Sequence, residues 1–293
     1  MTFTEILSED FLRNIVLRAT VVGVLVSVCA SLLGVCLVMR RYSMIGDGLS
    51  HVGYFALALG ALAGVGSEFT VEAALPVVVL AAVLILKLDG KGKISGDSAC
   101  AIVSTGAVAV GTLIFGISGT ASADICGSLF GSASVITVSE KDVVLSVALA
   151  VAVGAYFLLF YRRIFAVTFD ESFASAVGVR SGAMQTALAV LTAITIVIGM
   201  KMMGSIMISA LIVFPAMSAS QLCRSFKGVV ICAASVSVVC FILGFVVACL
   251  FSLQTGASVV TAELAVFIVF ASLARIRSAI RRRRVRRLSR ETL

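Results

Sequence analysis

Nine long apolar runs, separated by short polar stretches, organise this chain. They cover approximately residues 19–39, 44–64, 73–88, 99–117, 143–161, 184–199, 202–222, 229–251 and 259–274. A helix needs about 20 consecutive apolar residues to cross the hydrocarbon core of a bilayer. The pattern therefore predicts an all-α polytopic membrane protein with about nine transmembrane helices. Between the fourth and fifth runs, SGTASADICGSLFGSASVITV at 118–138 is too polar and glycine-rich for a span, yet too apolar for a plain loop. It reads as a re-entrant element, which is tolerated at membrane depth where protein covers it.

The polar interruptions set the orientation, because lysine and arginine accumulate in short cytoplasmic loops. Arg40 and Arg41 follow the first run, Lys87, Lys91 and Lys93 the third, Arg162 and Arg163 the fifth, and Arg224 and Lys227 the seventh. The even-numbered exits carry Glu68, then Asp124 and the trio Glu140, Lys141 and Asp142, then Lys201, then the uncharged SLQTGAS. Nine spans with the N-terminus outside and the C-terminus in the cytoplasm satisfy the rule throughout. A tenth span at 118–138 would place Arg40 and Arg41 outside. The first fifteen residues carry Glu5, Glu9 and Asp10 against Arg13, the wrong sign for the start of a signal peptide.

Composition agrees with the pattern: 60% of the 293 residues are hydrophobic, only 13% are charged, and mean hydropathy is +1.16. A soluble domain of this length needs far more charge to cover its surface. The net charge of +8 is local. Nine arginines (Arg275, Arg277, Arg281, Arg282, Arg283, Arg284, Arg286, Arg287 and Arg290) lie in RIRSAIRRRRVRRLSR, and the remainder is close to neutral. The chain thus divides into a transmembrane domain at 1–274 and a basic cytoplasmic tail at 275–293. Beside a span, such a tail suits anionic membrane lipid or an acidic partner surface better than nucleic acid. The eight cysteines lie in or at the ends of apolar runs, apart from Cys126 in a Ser/Gly stretch, and no CxxC occurs. They read as small buried hydrophobes. GKGKISGDS has lysines and glycines at the wrong spacing for a phosphate-binding loop, so ATP is not bound here through that motif.

Three constellations carry candidate chemistry. Asp47 and His51, the chain's one histidine, stand four residues apart near the start of the second run. At that spacing they share a helix face, and a carboxylate with an imidazole can bind a divalent first-row cation. An ionisable group inside an apolar span is expensive and is functional by default; the alternative is a buried hydrogen bond that fixes helix packing. Gly46, Gly48 and Gly53 flank the pair and allow neighbouring backbones to approach. In TFDESFASAVGVRSG at 168–182, Asp170 or Ser172 can cap a short helix and Gly178 or Gly182 can end it. Phe169, Phe173 and Val177 recur at spacing four, an apolar stripe for a partner groove or for the membrane surface. In GMKMMGSIMISALIVFPAMSASQL at 199–222, small residues (Gly204, Ser205, Ser209, Ala210, Ala216, Ser218, Ala219 and Ser220) favour close packing, and Pro215 predicts a break or kink. Glu263, in the last run, reads as a carboxylate reaching for the outer interface, with a ligand as the alternative.

These segments together resemble the membrane permeases of the ABC-type importers for manganese, zinc and iron. RRYSMIGDGLSHVGYFALALG is similar to that family's arginine-rich turn, D-x-x-S-H segment and glycine-spaced helix. LFGSASVITVSEKDV, FDESFASAVGV and KMMGSIMISALIVFPAMSA resemble three further blocks in the family's order, from about Phe11 to Ala274. The arginine tail lies outside the family pattern. The resemblance implies a transport subunit that is not itself an enzyme and holds no permanent cofactor, its cargo being a divalent Mn, Zn or Fe ion. It implies that two permease subunits, identical or related, pair with two cytoplasmic ATP-hydrolysing subunits and receive metal from an extracytoplasmic binding protein. It also implies that Asp47 and His51 touch the metal, and that Asp170 to Gly178, with Ala174 between them, form the coupling helix docked in the ATPase groove. A stand-alone proton-coupled transporter, an ATP-driven permease for a metal chelate, and a membrane scaffold or sensor acting through the tail are the rival functions.

Overall fold

A computed structural model describes residues 10–40, 42–63, 70–89, 96–118, 140–251 and 253–291. The stretch expected to be re-entrant therefore lies, but for Ser118, outside the described residues. Ten α-helices and no strand occur among the described residues: α1 (Asp10–Met39), α2 (Ile45–Leu62), α3 (Thr70–Asp89), α4 (Gly96–Ile117), α5 (Glu140–Phe169), α6 (Glu171–Ala176), α7 (Ser181–Met203), α8 (Ser205–Leu222), α9 (Phe226–Phe251) and α10 (Thr255–Glu291). Every predicted apolar run is a helix. Eight are long and apolar enough to cross a membrane, and α3 contributes the shorter apolar stretch Ala74–Ile85. The protein is a polytopic all-α membrane protein.

Some ends differ from the pattern. α5 continues past Arg162 and Arg163 to Phe169, since arginine is a good helix former and no glycine or proline intervenes. α10 runs on into the arginine tail as one helix. Pro215 does not break α8, which is continuous from Ser205 to Leu222. Between α7 and α8 the chain turns at a single residue, Gly204, with φ 87° and ψ 158°.

α8 is the centre of the bundle, packing on α1, α2, α7, α9 and α10. Lipid is as apolar as leucine, so spans associate through close packing of small residues and through hydrogen bonds rather than through exclusion of water. Gly34 brings α1 against the backbone of Ile212 in α8, and Gly244 brings α9 against Val259 in α10. Ser237 of α9 donates a hydrogen bond to the Ser27 carbonyl of α1 at 3.0 Å. Large apolar residues on α4, α5 and α10, among them Ile102, Leu158, Leu159 and Ile268, face outward, as lipid-facing surfaces do.

The two ends of the bundle differ in charge. Arg40 meets Glu171 at 2.8 Å, Arg163 and Arg180 line one surface cavity, and Lys227 lies over the Tyr161 ring at 5.7 Å. All of these groups share the end that carries α6. At the opposite end Arg18 pairs with Glu140 at 2.7 Å.

Candidate functional site

α2 is placed by its glycines. A β-carbon on Gly46 would stand 3.2 Å from Ile212 of α8, and one on Gly48 would stand 3.3 Å from the Cys100 carbonyl of α4. Gly53 lies against Met200 of α7. With that side pressed into three neighbours, the less covered stripe of α2 carries Met44, Leu59 and Leu62, which are exposed, and Asp47, His51 and Phe55, which are partly buried. The spacing of three and four residues puts them on a single helix face. Asp47 and His51 are the polar members of this otherwise apolar stripe.

Their geometry is specific. His51 Nε2 lies 3.3 Å from Asp47 Oδ1, with the imidazole 20% and the carboxylate 44% exposed. Ser104 on α4 donates its hydroxyl to Asp47 Oδ2 at 3.4 Å, so the two carboxylate oxygens have different partners. His51 Nδ1 is buried with no hydrogen-bond partner among the described residues. No third Asp, Glu, His or Cys joins the pair to make a metal cluster among the described residues. The histidine is the seventh residue of α2, about 9 Å along the helix axis at 1.5 Å per residue. The pair therefore lies toward the basic end of the bundle.

At that end α6 is built by its caps. Asp170 is the N-cap, and its Oδ1 accepts from the Phe173 amide at 2.9 Å. Gly178, at φ 85°, closes the helix. Its amide donates to the Ser175 carbonyl at 3.0 Å, and the Val179 amide donates to that of Ala174 at 2.9 Å, the paired bonds of a Schellman motif. Ala174 is buried, whereas Phe169, Phe173 and Val177 are 56%, 61% and 65% exposed. Asp170 to Gly178 thus make one short capped helix, and its Phe173 and Val177 form an exposed apolar stripe with Phe169, the last residue of α5.

Three features were missed by sequence reasoning. Ser104, on another helix, had no signal that ties it to Asp47. Arg40 reads in the sequence as a loop charge, but its side chain is 10% exposed and holds Glu171, the first residue of α6. Glu263 does not reach outward: it is 1% exposed, and neither carboxylate oxygen has a hydrogen-bond partner among the described residues. It continues the buried edge of α10 formed by Gly256 and Val259, facing α8 and α9.

The fold and this site define a multi-span helical membrane protein with an ionisable pair near the start of one candidate span and a capped amphipathic turn at its basic end. The chain belongs to the ABC 3 transport family, whose model matches residues 13–274. Among its relatives is the manganese import system permease protein ScaB of Streptococcus gordonii, 26% identical over 88% of this chain and 90% of the relative. The high-affinity zinc uptake system membrane protein ZnuB of Haemophilus influenzae is 24% identical over 87% of this chain and 96% of its own. In fold the chain is similar to one solved in PsaBC from Streptococcus pneumoniae in complex with Fab. That match has a TM-score of 0.76 and 24% identity, and covers 92% of this chain and 94% of the other.

Proposed function

We propose that this chain is the membrane permease of an ATP-driven importer for a divalent transition-metal ion (Mn, Zn or Fe), and that the ion passes Asp47 and His51. The observation that carries the reading is the placement of this pair on the less covered stripe of α2. Two donor atoms 3.3 Å apart subtend about 100° at an ion bound at about 2.1 Å, close to a tetrahedral angle. The pair thus needs little rearrangement to hold a metal, and the Asp47 charge offsets half of that of a dication. Two ligands make a transit site rather than a storage site. They leave coordination positions for water or for a second permease subunit facing the same stripe.

The remaining assignments follow from the ends of the bundle. The basic end lies in the cytoplasm by the distribution of lysine and arginine, which puts the N-terminus outside and the C-terminus inside. Phe169, Phe173 and Val177 then offer the docking stripe for a separate ATP-binding subunit, which hydrolyses the nucleotide. An extracytoplasmic metal-binding protein delivers the ion at the other end. Alternating access arises when the paired ATPases close and move α6.

Uptake measured per assembled complex tests the metal path. Asp47→Asn and His51→Ala insert and assemble at near-normal levels and lose most uptake of whichever metal is native. Normal uptake per complex in both variants contradicts the reading, and so does a loss of uptake that only follows a loss of protein.

A further inference from the structure

We infer that Arg40 is a positioning residue that ties the cytoplasmic helix α6 to the helix bearing Asp47 and His51, an inference that rests on the transport reading above and supplies its mechanical link. Three observations place Arg40 between the two. The Arg40 guanidinium bonds Glu171 Oε2 at 2.8 Å, and Glu171 opens α6 directly after its cap Asp170. The rest of the Arg40 side chain is not in solvent: it lines a narrow cavity with Tyr156, Thr168, Met184 and Leu188, between the two helices that flank α6. Its guanidinium also lies 5.8 Å from the centre of the Tyr42 ring, within reach of a cation–π attraction.

From Arg40 the path to Asp47 is short and bonded. The Arg40 amide donates to the Cys36 and Leu37 carbonyls at 3.2 Å, the Tyr42 amide to Leu37 at 3.0 Å, and the Ile45 amide to the Tyr42 carbonyl at 3.3 Å. Tyr42 is buried, with its ring against Gly96 at the start of α4. The Met44 amide reaches Asp97 Oδ1 at 3.4 Å. Asp47 is the third residue of the helix that begins at Ile45. A displacement of α6 that pulls on Glu171 therefore acts on a hydrogen-bonded turn, not on a slack loop, and shifts the first turn of α2. α6 packs on α5 and α7, and this charge-assisted bond adds a direct tie from α6 to the residue that enters the α1–α2 turn. A surface ion pair adds little to stability. Its value here is directional, because a largely buried guanidinium held on both sides keeps one geometry.

The test reads the α2 end directly. In Met44→Cys, a position on the less covered stripe, peptide-level mass spectrometry follows alkylation of the introduced thiol in membranes containing the assembled complex. Uptake per ATP hydrolysed is measured alongside. Arg40→Ala and Glu171→Ala each change the alkylation rate and lower uptake per ATP by about fivefold, a coupling of the usual size. Arg40→Ala and Glu171→Ala together lower uptake per ATP no further than either change alone, because both break the same bond. Unchanged alkylation in both single variants overturns the tie, and so do losses that add in the double variant. Failure of the metal-path reading shows elsewhere, as normal uptake in Asp47→Asn and His51→Ala, and leaves the alkylation result intact.

Discussion

Gly204 turns the chain between two packed helices at φ 87° and ψ 158°, a region that residues with a β-carbon enter only at a cost. Gly204→Ala should therefore destabilise the protein by about 1–3 kcal/mol, seen as a lower thermal midpoint by calorimetry in detergent. Gly154→Ala, in the interior of α5 where a β-carbon meets open space, should keep the midpoint or raise it slightly. The pairing of Asp47 with His51 was legible at this scale, because a four-residue spacing on a helix fixes neighbours without knowledge of the fold. Ser104 was not legible, since its approach to Asp47 depends on Gly48 pressing α2 onto α4 across 57 residues of sequence. The burial of Glu263 was equally hidden. α10 is apolar on every side through its span, so no amphipathic pattern says which edge faces α8 and α9.

α6 is the element whose chemistry the sequence declared most completely. Asp170 at its start and Gly178 past its end are capping residues whose side chain and backbone freedom dictate the turn, whatever surrounds it. Its apolar stripe stays bare in the single chain, which calls for a partner. Phe173→Asp should leave the permease folded in the membrane and strip the ATP-hydrolysing subunit from it, by burying a charge where an aromatic ring is wanted. Co-purification of the two subunits checks this, and a variant that keeps its ATPase and its metal-driven turnover assigns the stripe to another role. α8 taught the opposite lesson. Its proline predicted a break or a kink, and there is no break: the helix runs continuously through Pro215 with neighbours on five sides.

For the whole molecule, the apolar helices and the gathering of positive charge at one end followed from hydropathy and from lysine and arginine placement alone, although among the described residues eight helices, not nine, are long and apolar enough to cross a membrane. The arrangement of those helices around α8 did not, because small residues such as Gly34 and Gly244 mark close packing without naming the partner helix. The proposed orientation gives a labelling prediction: a cysteine at Arg180 should be reached only from the cytoplasm and one at Ser118, at the far end of α4, only from outside. The reverse pattern inverts the bundle. The central claim is that a metal ion touches the pair on α2. Because His51 is the chain's one histidine, an imidazole signal from this subunit has a single source. Pulsed electron paramagnetic resonance of Mn(II) bound to the permease, purified through a histidine-free tag, should show nitrogen modulation from one imidazole, and His51→Ala should abolish it. Bound Mn(II) without nitrogen modulation, or modulation that survives His51→Ala, contradicts the account.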